Sequence, residues 1–405
     1  MDSRQRFLVF QSAKTKGEYI MKTIALYDED AFAKDFTAKV ISCDETVKED
    51  QKLYKVVLDK SLFFPEQGGQ TSDIGHLDEH QVVDVQIEGD TVYHYCKGGF
   101  LIGEEVHGVI DWDHRFSNMQ QHTGEHIFTG LAHNEYGAEN VGFHLSDNTV
   151  TLDLNIELSE DMVEHIERKA NEVIAADVAV KAYYPQQELL GAIAYRSKKE
   201  IDGPVRLVEI EGVDLCACCA PHVKSTGQVG MLKVVSFEKY KGGTRIYILC
   251  GLRALDDYNR RMKLLAKAYR TLSCKEDEVP DKIISLMDEG KQLKYRISDI
   301  KSGILMNQIE SYPSDIPDIT IFSEDLDAKI MRDGVNALVE KHDGLCCIFS
   351  GNDDDGYNFV IGSKTRDCAA IAAGMRELLG AKGGGSKQMA QGSVNATRNE
   401  IERTM

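Results

Sequence analysis

No apolar run in this sequence of 405 residues approaches the roughly 20 residues that a membrane helix needs. The start of the chain has no signal-peptide core, since Phe7 to Phe10 is too short for one. Both absences predict a cytoplasmic protein with no membrane partner. An even cysteine framework is also missing. The ten cysteines are irregularly spaced, with adjacent pairs at Cys218-Cys219 and Cys346-Cys347, which predicts reduced thiols and a metal site rather than disulfides. Positive charge is scarce. A net charge of -19 excludes indiscriminate nucleic-acid binding, because an acidic surface repels phosphates over about a Debye length; an RNA partner would require locally basic patches.

What is present is an ordinary multidomain composition, 42% hydrophobic and 28% charged, with apolar material for two or three cores. Residues 1–20 have no convincing period and read as an extension outside the fold, with Met21 opening a cleaner pattern. From about residue 37 to 110 the runs TAKVISC, KLYKVVLD, QVVDVQI and TVYHYC predict the strands of a small β-barrel. A helix is predicted over residues 115–136, stopped by Gly137. The hairpin-like VGFHLSDNTVTLDL, the helical SEDMVEHIERKANEVIAA and later strands, without a βαβ repeat, predict an α+β domain. Residues 253–309 have a helical period broken near Glu278-Val279-Pro280, which reads as a two-helix arm. The end of the chain, with strand-like DITIFS, GLCCIFS and YNFVIGS, the helix DCAAIAAGMRELLG and a glycine-rich loop KGGGSKQMAQGS, predicts a compact α/β unit.

His122-Thr-Gly-Glu-His126 places two imidazoles four residues apart, on one face of a helix. Alone, the pair equally fits a solvated helix face. Some ninety residues on, Cys218 and His222 form a Cys-x3-His unit that Pro221 keeps out of helix. A thiolate with imidazoles is a zinc ligand set, and the two pairs complete a tetrahedron. Cys216 and Cys219 make a rival Cys-x-x-Cys, although a redox role lacks its usual βαβ context. His122 to His126 also satisfies the inverted His-x-x-Glu-His motif of zinc peptidases, with Glu125 as base, but that class needs a further carboxylate ligand.

Four stretches in order, FFPEQGGQTSDIG (63–75), DHRFSNMQQHTGEH (113–126), DLCACCAPHV (214–223) and GTRIYILCGLRAL (243–255), resemble the editing domain of alanyl-tRNA synthetases and its freestanding relatives, the AlaX family. GAKGGGSKQMAQGS at 380–393 resembles the glycine-rich signature of the synthetase's C-terminal domain, as in a long AlaX form. There are departures. The common Cys-Gly-Gly-Thr-His is here Cys218-Cys219-Ala220-Pro221-His222, and Ser386-Lys387-Gln388 replaces Arg-Pro-Asp after the triple glycine.

The resemblance implies a trans-editing hydrolase that removes serine or glycine from mischarged tRNA(Ala), with Zn2+ as cofactor. Its domains would be an extension (1–20), a β-barrel (21–110), a zinc-dependent editing domain (111–252), a helical arm (253–312) and a tRNA-binding-like C-terminal domain (313–405). Gly69 and Gln70 would approach and position substrate, because adjacent glycines admit close backbone and an amide both donates and accepts. Thr123 would face the amino-acid side chain, and Glu125 would act as base or support the metal ligands. His144 would line the pocket, and Arg245 would meet the terminal phosphate or adenosine. A second site that hydrogen-bonds the extra hydroxyl of serine would spare alanine. Arg260 and Arg261 belong to the most basic stretch, residues 239–270, which faces either the acceptor stem or its own Asp256 and Asp257. Gly383, Gly384, Gly385 and Lys387 would approach tRNA phosphates. Homodimerisation through the arm or the C-terminal domain stays open, as does a non-catalytic, zinc-containing tRNA-binding protein.

Overall fold

The structure, a computed structural model, describes residues 22–48, 50–146, 149–197 and 203–405. The expected extension at residues 1–20 lies outside them. The fold is mixed α+β, and the chain divides into two compact units at Lys263/Leu264.

In the first unit six strands close a barrel in the order Asp35–Lys48, Gln51–Leu58, Thr91–Cys96, His80–Glu88, Gly75–Leu77 and Glu105–Ile110. Strict alternation along Glu105–Ile110 sends Val106, Gly108 and Ile110 inward, as the period of two dictates. The interior holds one histidine among its apolar residues. His94 donates from Nδ1 to Val56 O at 3.2 Å and accepts at Nε2 from Ser61 Oγ at 2.7 Å. Burial pulls its pKa down to about 4, so the ring is neutral.

Asp111 caps the helix Trp112–Tyr136 by accepting from the His114 amide, and Gly137 ends it in the left-handed conformation. From Asn118 to Ala132 every residue of this helix is buried, although many are polar. Buried polar groups must find partners. Gln121 therefore bonds both main-chain groups of Cys250, and Gln120 donates to Gln228 O. Two glycines let the surroundings close in. A Cβ on Gly124 would lie 2.3 Å from Cys250 Sγ, and one on Gly130 would lie 2.5 Å from Val213 O. At the helix start, fully buried Arg115 pairs with fully buried Asp73, and also donates to Ala31 O and Leu62 O, tying the helix to the barrel side.

Around this helix pack a four-stranded antiparallel sheet, ordered Leu232–Tyr240, Gly243–Cys250, Val150–Leu154, Asn140–Leu145, and the helix Glu160–Ala175. A three-stranded sheet, Val180–Tyr183, Leu207–Ile210, Asp214–Ala217, leads directly into Cys218.

Past the helix Gly251–Leu272, the second unit contains the helix Val279–Ser311 and a five-stranded sheet ordered Ile319–Ser323, Cys346–Asn352, Gly356–Gly362, Met389–Val394, Lys382–Gly385. The break in the arm falls at residues 273–278, and Pro280 sits in the first turn of the next helix, where its missing N–H costs nothing. The helix Ala328–Lys341 was not anticipated. The expected glycine-rich loop is instead an edge hairpin. Gly383 and Gly385 approach the opposite strand so closely that a Cβ would lie 2.3 Å from Gln391 O or 2.1 Å from Met389 O, which explains glycine in a strand.

Candidate metal centre

The ligand atoms of His122, His126, Cys218 and His222 all lie within 4.8 Å of one another. The two histidines of the long helix face the loop that follows the strand Asp214–Ala217. Cys218 Sγ is 3.5 Å from His122 Nε2 and 3.4 Å from His222 Nε2.

Each imidazole is held from behind. His122 Nδ1 donates to Gln70 Oε1 at 2.8 Å, His126 Nδ1 donates to Asp214 Oδ2 at 2.8 Å, and His222 Nδ1 is 3.0 Å from Thr123 Oγ1. A proton on Nδ1 leaves the Nε2 lone pair for a metal, so the partners set the tautomer as well as the ring plane. Burial alone would raise the Cys218 thiol, but the surrounding imidazoles outweigh it and hold the thiol well below its ordinary range. Burial pulls His222 down to about 3. For His126 burial acts downward as well, yet the Asp214 carboxylate outweighs it and holds the ring well above the usual imidazole value. Three imidazoles converging on a group that favours the thiolate form a donor set that suits zinc.

Gln70 reaches the centre on a turn made by Gly68 and Gly69, both at positive φ, and is itself buried. The Gly69 carbonyl accepts from Leu145 N at 2.6 Å, and a Cβ on Gly69 would lie 2.5 Å from Phe143 O. Gln70 Nε2 is buried without a protein partner among the described residues. Glu125 is no solvated glutamate: Oε1 accepts from Asn140 Nδ2 and lies 3.3 Å from Thr129 Oγ1, while Oε2 is 3.8 Å from His126 Nε2. Thr123 has its hydroxyl against His222.

His144 is exposed, and its neighbour Phe143 on the alternate face brings its ring 4.7 Å from His122. Arg245 donates to both oxygens of Asp153, at 2.6 and 2.7 Å, and covers the Tyr240 ring. Arg260 and Arg261 both bond Asp257. In the second unit Gly383 to Gly385 lie exposed on the edge strand, and Lys387 is exposed in the turn after it.

Of the rival cysteines, Cys216 has its thiol near His126 and Asp214, where burial raises it to about 11. Burial raises the Cys219 thiol, which faces Gly68, to about 12. Both favour the protonated form at neutral pH, unlike Cys218. Sequence reasoning missed Asp214, Arg196, Asn140 and Phe143. Only Asp214 carried a usable signal, standing two strand positions before Cys216 and so on the same face of the strand.

Residues 205–247 match the second additional domain of threonyl and alanyl tRNA synthetases, and residues 4–114 match the class II (A) tRNA synthetases. The chain is 28% identical to the alanyl-tRNA editing protein AlaX-L of Pyrococcus horikoshii, over 93% of this chain and 96% of that one. It is 26% identical to the alanyl-tRNA editing protein Aarsd1 of Danio rerio, over 92% and 95% respectively. Alanine--tRNA ligase of Pyrococcus abyssi is 29% identical over 92% of this chain, which spans only 42% of that ligase.

Proposed function

We propose that the chain, which is similar along nearly its whole length to alanyl-tRNA editing proteins of the long AlaX form, deacylates mischarged tRNA(Ala) in trans. The observation that carries this reading is the convergence of His122, His126, Cys218 and His222 beside the buried amide of Gln70. These four residues would hold zinc. A bound zinc ion supplies Lewis acidity toward an ester carbonyl. In this reading the chain acts in the cytoplasm, with the barrel at 21–110, the editing domain at 111–252, the arm at 253–312 and a tRNA-binding domain at 313–405.

The protein's own groups do the rest. Gln70 fixes His122 through Oε1 and offers Nε2 to an oxygen of the aminoacyl group; an amide in this position suits the serine hydroxyl and accounts for sparing alanine. Serine is thus the preferred target; glycine, which lacks the hydroxyl, is a second target that this amide does not select. Glu125 is a fixed, water-poor carboxylate beside the ligands, placed to hold a proton during attack on the ester. Thr123 holds His222, and Phe143 rather than His144 walls the site at His122. Arg245, Arg260 and Arg261 would exchange Asp153 and Asp257 for tRNA phosphates, and Lys387 with the glycine strand would contact the tRNA through the second unit. A homodimer would use the exposed stripe Ile283, Leu293, Ile297, Ile300 and Ile304 on the helix Val279–Ser311.

The test is hydrolysis of Ser-, Gly- and Ala-tRNA(Ala) by the wild type and by Cys218→Ala, with metal measured in the same samples. Loss of serine and glycine but not alanine, abolished together with zinc in the variant, is expected. Zinc without ester cleavage would refute catalysis and favour a structural zinc in a tRNA-binding protein, which the closed set of four ligands also suits. Cleavage of peptides instead would favour the inverted peptidase motif.

A further inference from the structure

We infer that Arg196 is a positioning residue for the metal centre, holding the His126 ligand through Asp214 and the Glu125 carboxylate through Thr129. The inference rests on the zinc reading above. Arg196 donates from Nε to Asp214 Oδ1 at 2.7 Å and from a terminal nitrogen to Thr129 Oγ1 at 3.0 Å. Asp214 turns its other oxygen to His126 Nδ1. The Thr129 hydroxyl is directed at Glu125, 2.9 Å from its carbonyl and 3.3 Å from Oε1. A single planar cation therefore reaches both adjacent residues of the ligand helix, each through one intermediary.

The main chain of Arg196 is fixed to the same strand. Its amide donates to Leu215 O at 2.8 Å, and its carbonyl accepts from Ala217 N at 2.9 Å, one residue before Cys218. Asp214 is buried and uses one oxygen on His126 and the other on Arg196. Removing the guanidinium would leave this buried carboxylate with only the His126 Nδ1–H among its side-chain partners, free to rotate away from the plane that fixes the imidazole. The Arg196 side chain lines a cavity of about 660 Å³ together with Asp214, Tyr195 and Glu209, so it can be replaced without opening the apolar core.

Arg196→Gln in the full chain should bind zinc about 10- to 100-fold more weakly in competition with a chromophoric chelator. Its kcat on Ser-tRNA(Ala) should fall more than its KM rises. Arg196→Lys, which keeps charge on Asp214 but cannot span to Thr129, should recover part of the zinc affinity. Wild-type zinc affinity in a folded Arg196→Gln would overturn the inference. If that variant does not fold, Thr129→Val decides: a measurable rise in its zinc dissociation rate supports the bridge, and an unchanged rate refutes it. Zinc retention is read without any ester. A wild type that holds zinc but cleaves nothing therefore sinks the editing reading and leaves Arg196 supported or refuted on its own measurement, whereas a wild type that binds no zinc sinks both.

Discussion

Adding one methyl group at Gly124 tests whether the ligand helix and the neighbouring sheet are packed as closely as described. Gly124 lies between the two helical histidines, and in an unconstrained helix Gly→Ala gains about 1 kcal/mol. Here the new Cβ would lie 2.3 Å from Cys250 Sγ and 3.6 Å from both Cys250 Cβ and a Leu232 methyl. Cys250 cannot withdraw easily, because Gln121 holds its amide at 2.7 Å and its carbonyl at 2.9 Å. Overpacking of this kind costs about 3 kcal/mol at the upper end of its usual range. Gly124→Ala should therefore destabilise the first unit by about 2 kcal/mol and weaken zinc binding by displacing His122 against His126. Cys250→Ala alone should cost roughly 1 kcal/mol. The double variant retains only the ordinary 3.6 Å contacts and should return close to wild-type stability, a favourable coupling of about 3 kcal/mol. Trp112, the sole tryptophan and the first residue of the helix, reports urea unfolding by fluorescence. A Gly124→Ala variant as stable as wild type, or a double variant equal to the sum of the singles, would refute this packing.

The barrel histidine gives a pH prediction. With His94 held at about 4 when folded and near 6.5 when unfolded, the unfolded chain takes up the proton first as pH falls. Stability should be complete above pH 6.5 and fall by about 3 kcal/mol by pH 4; His94→Gln, though less stable overall, should lose that slope in urea titrations across the window. The edge strand separates folding from binding: Gly383→Ala, whose Cβ would meet Gln391 O at 2.3 Å, should lower the melting temperature, whereas a Cβ on Gly384 meets only an Arg376 nitrogen at 4.0 Å. Gly384→Ala should keep the wild-type melting temperature and weaken tRNA(Ala) binding in filter assays; unchanged binding would remove the glycine strand from the tRNA interface.

What could be read in the sequence depended on how local its cause was. The helical histidine pair follows from a spacing of four, and the barrel strands follow from alternation, so both were visible without coordinates. The helix Trp112–Tyr136 is different in kind: it is buried around most of its circumference, and its polar residues therefore look like a solvated face until their distant partners are known. Glu125 is the sharpest case, since Asn140 and Thr129 turn an apparently surface carboxylate into a fixed interior one. The glycines at 383 to 385 misled in the opposite direction. They signalled a loop, whereas their cause is close strand approach across the hairpin at two of the three positions, leaving Gly384 without an internal reason. Arg196 left no trace at all in spacing, because its role depends on a loop meeting a strand some twenty residues later. The ligands of such a centre are thus written locally, while the groups that aim them are supplied by tertiary contacts, and it is the aiming groups that decide whether four side chains form a site or only a cluster.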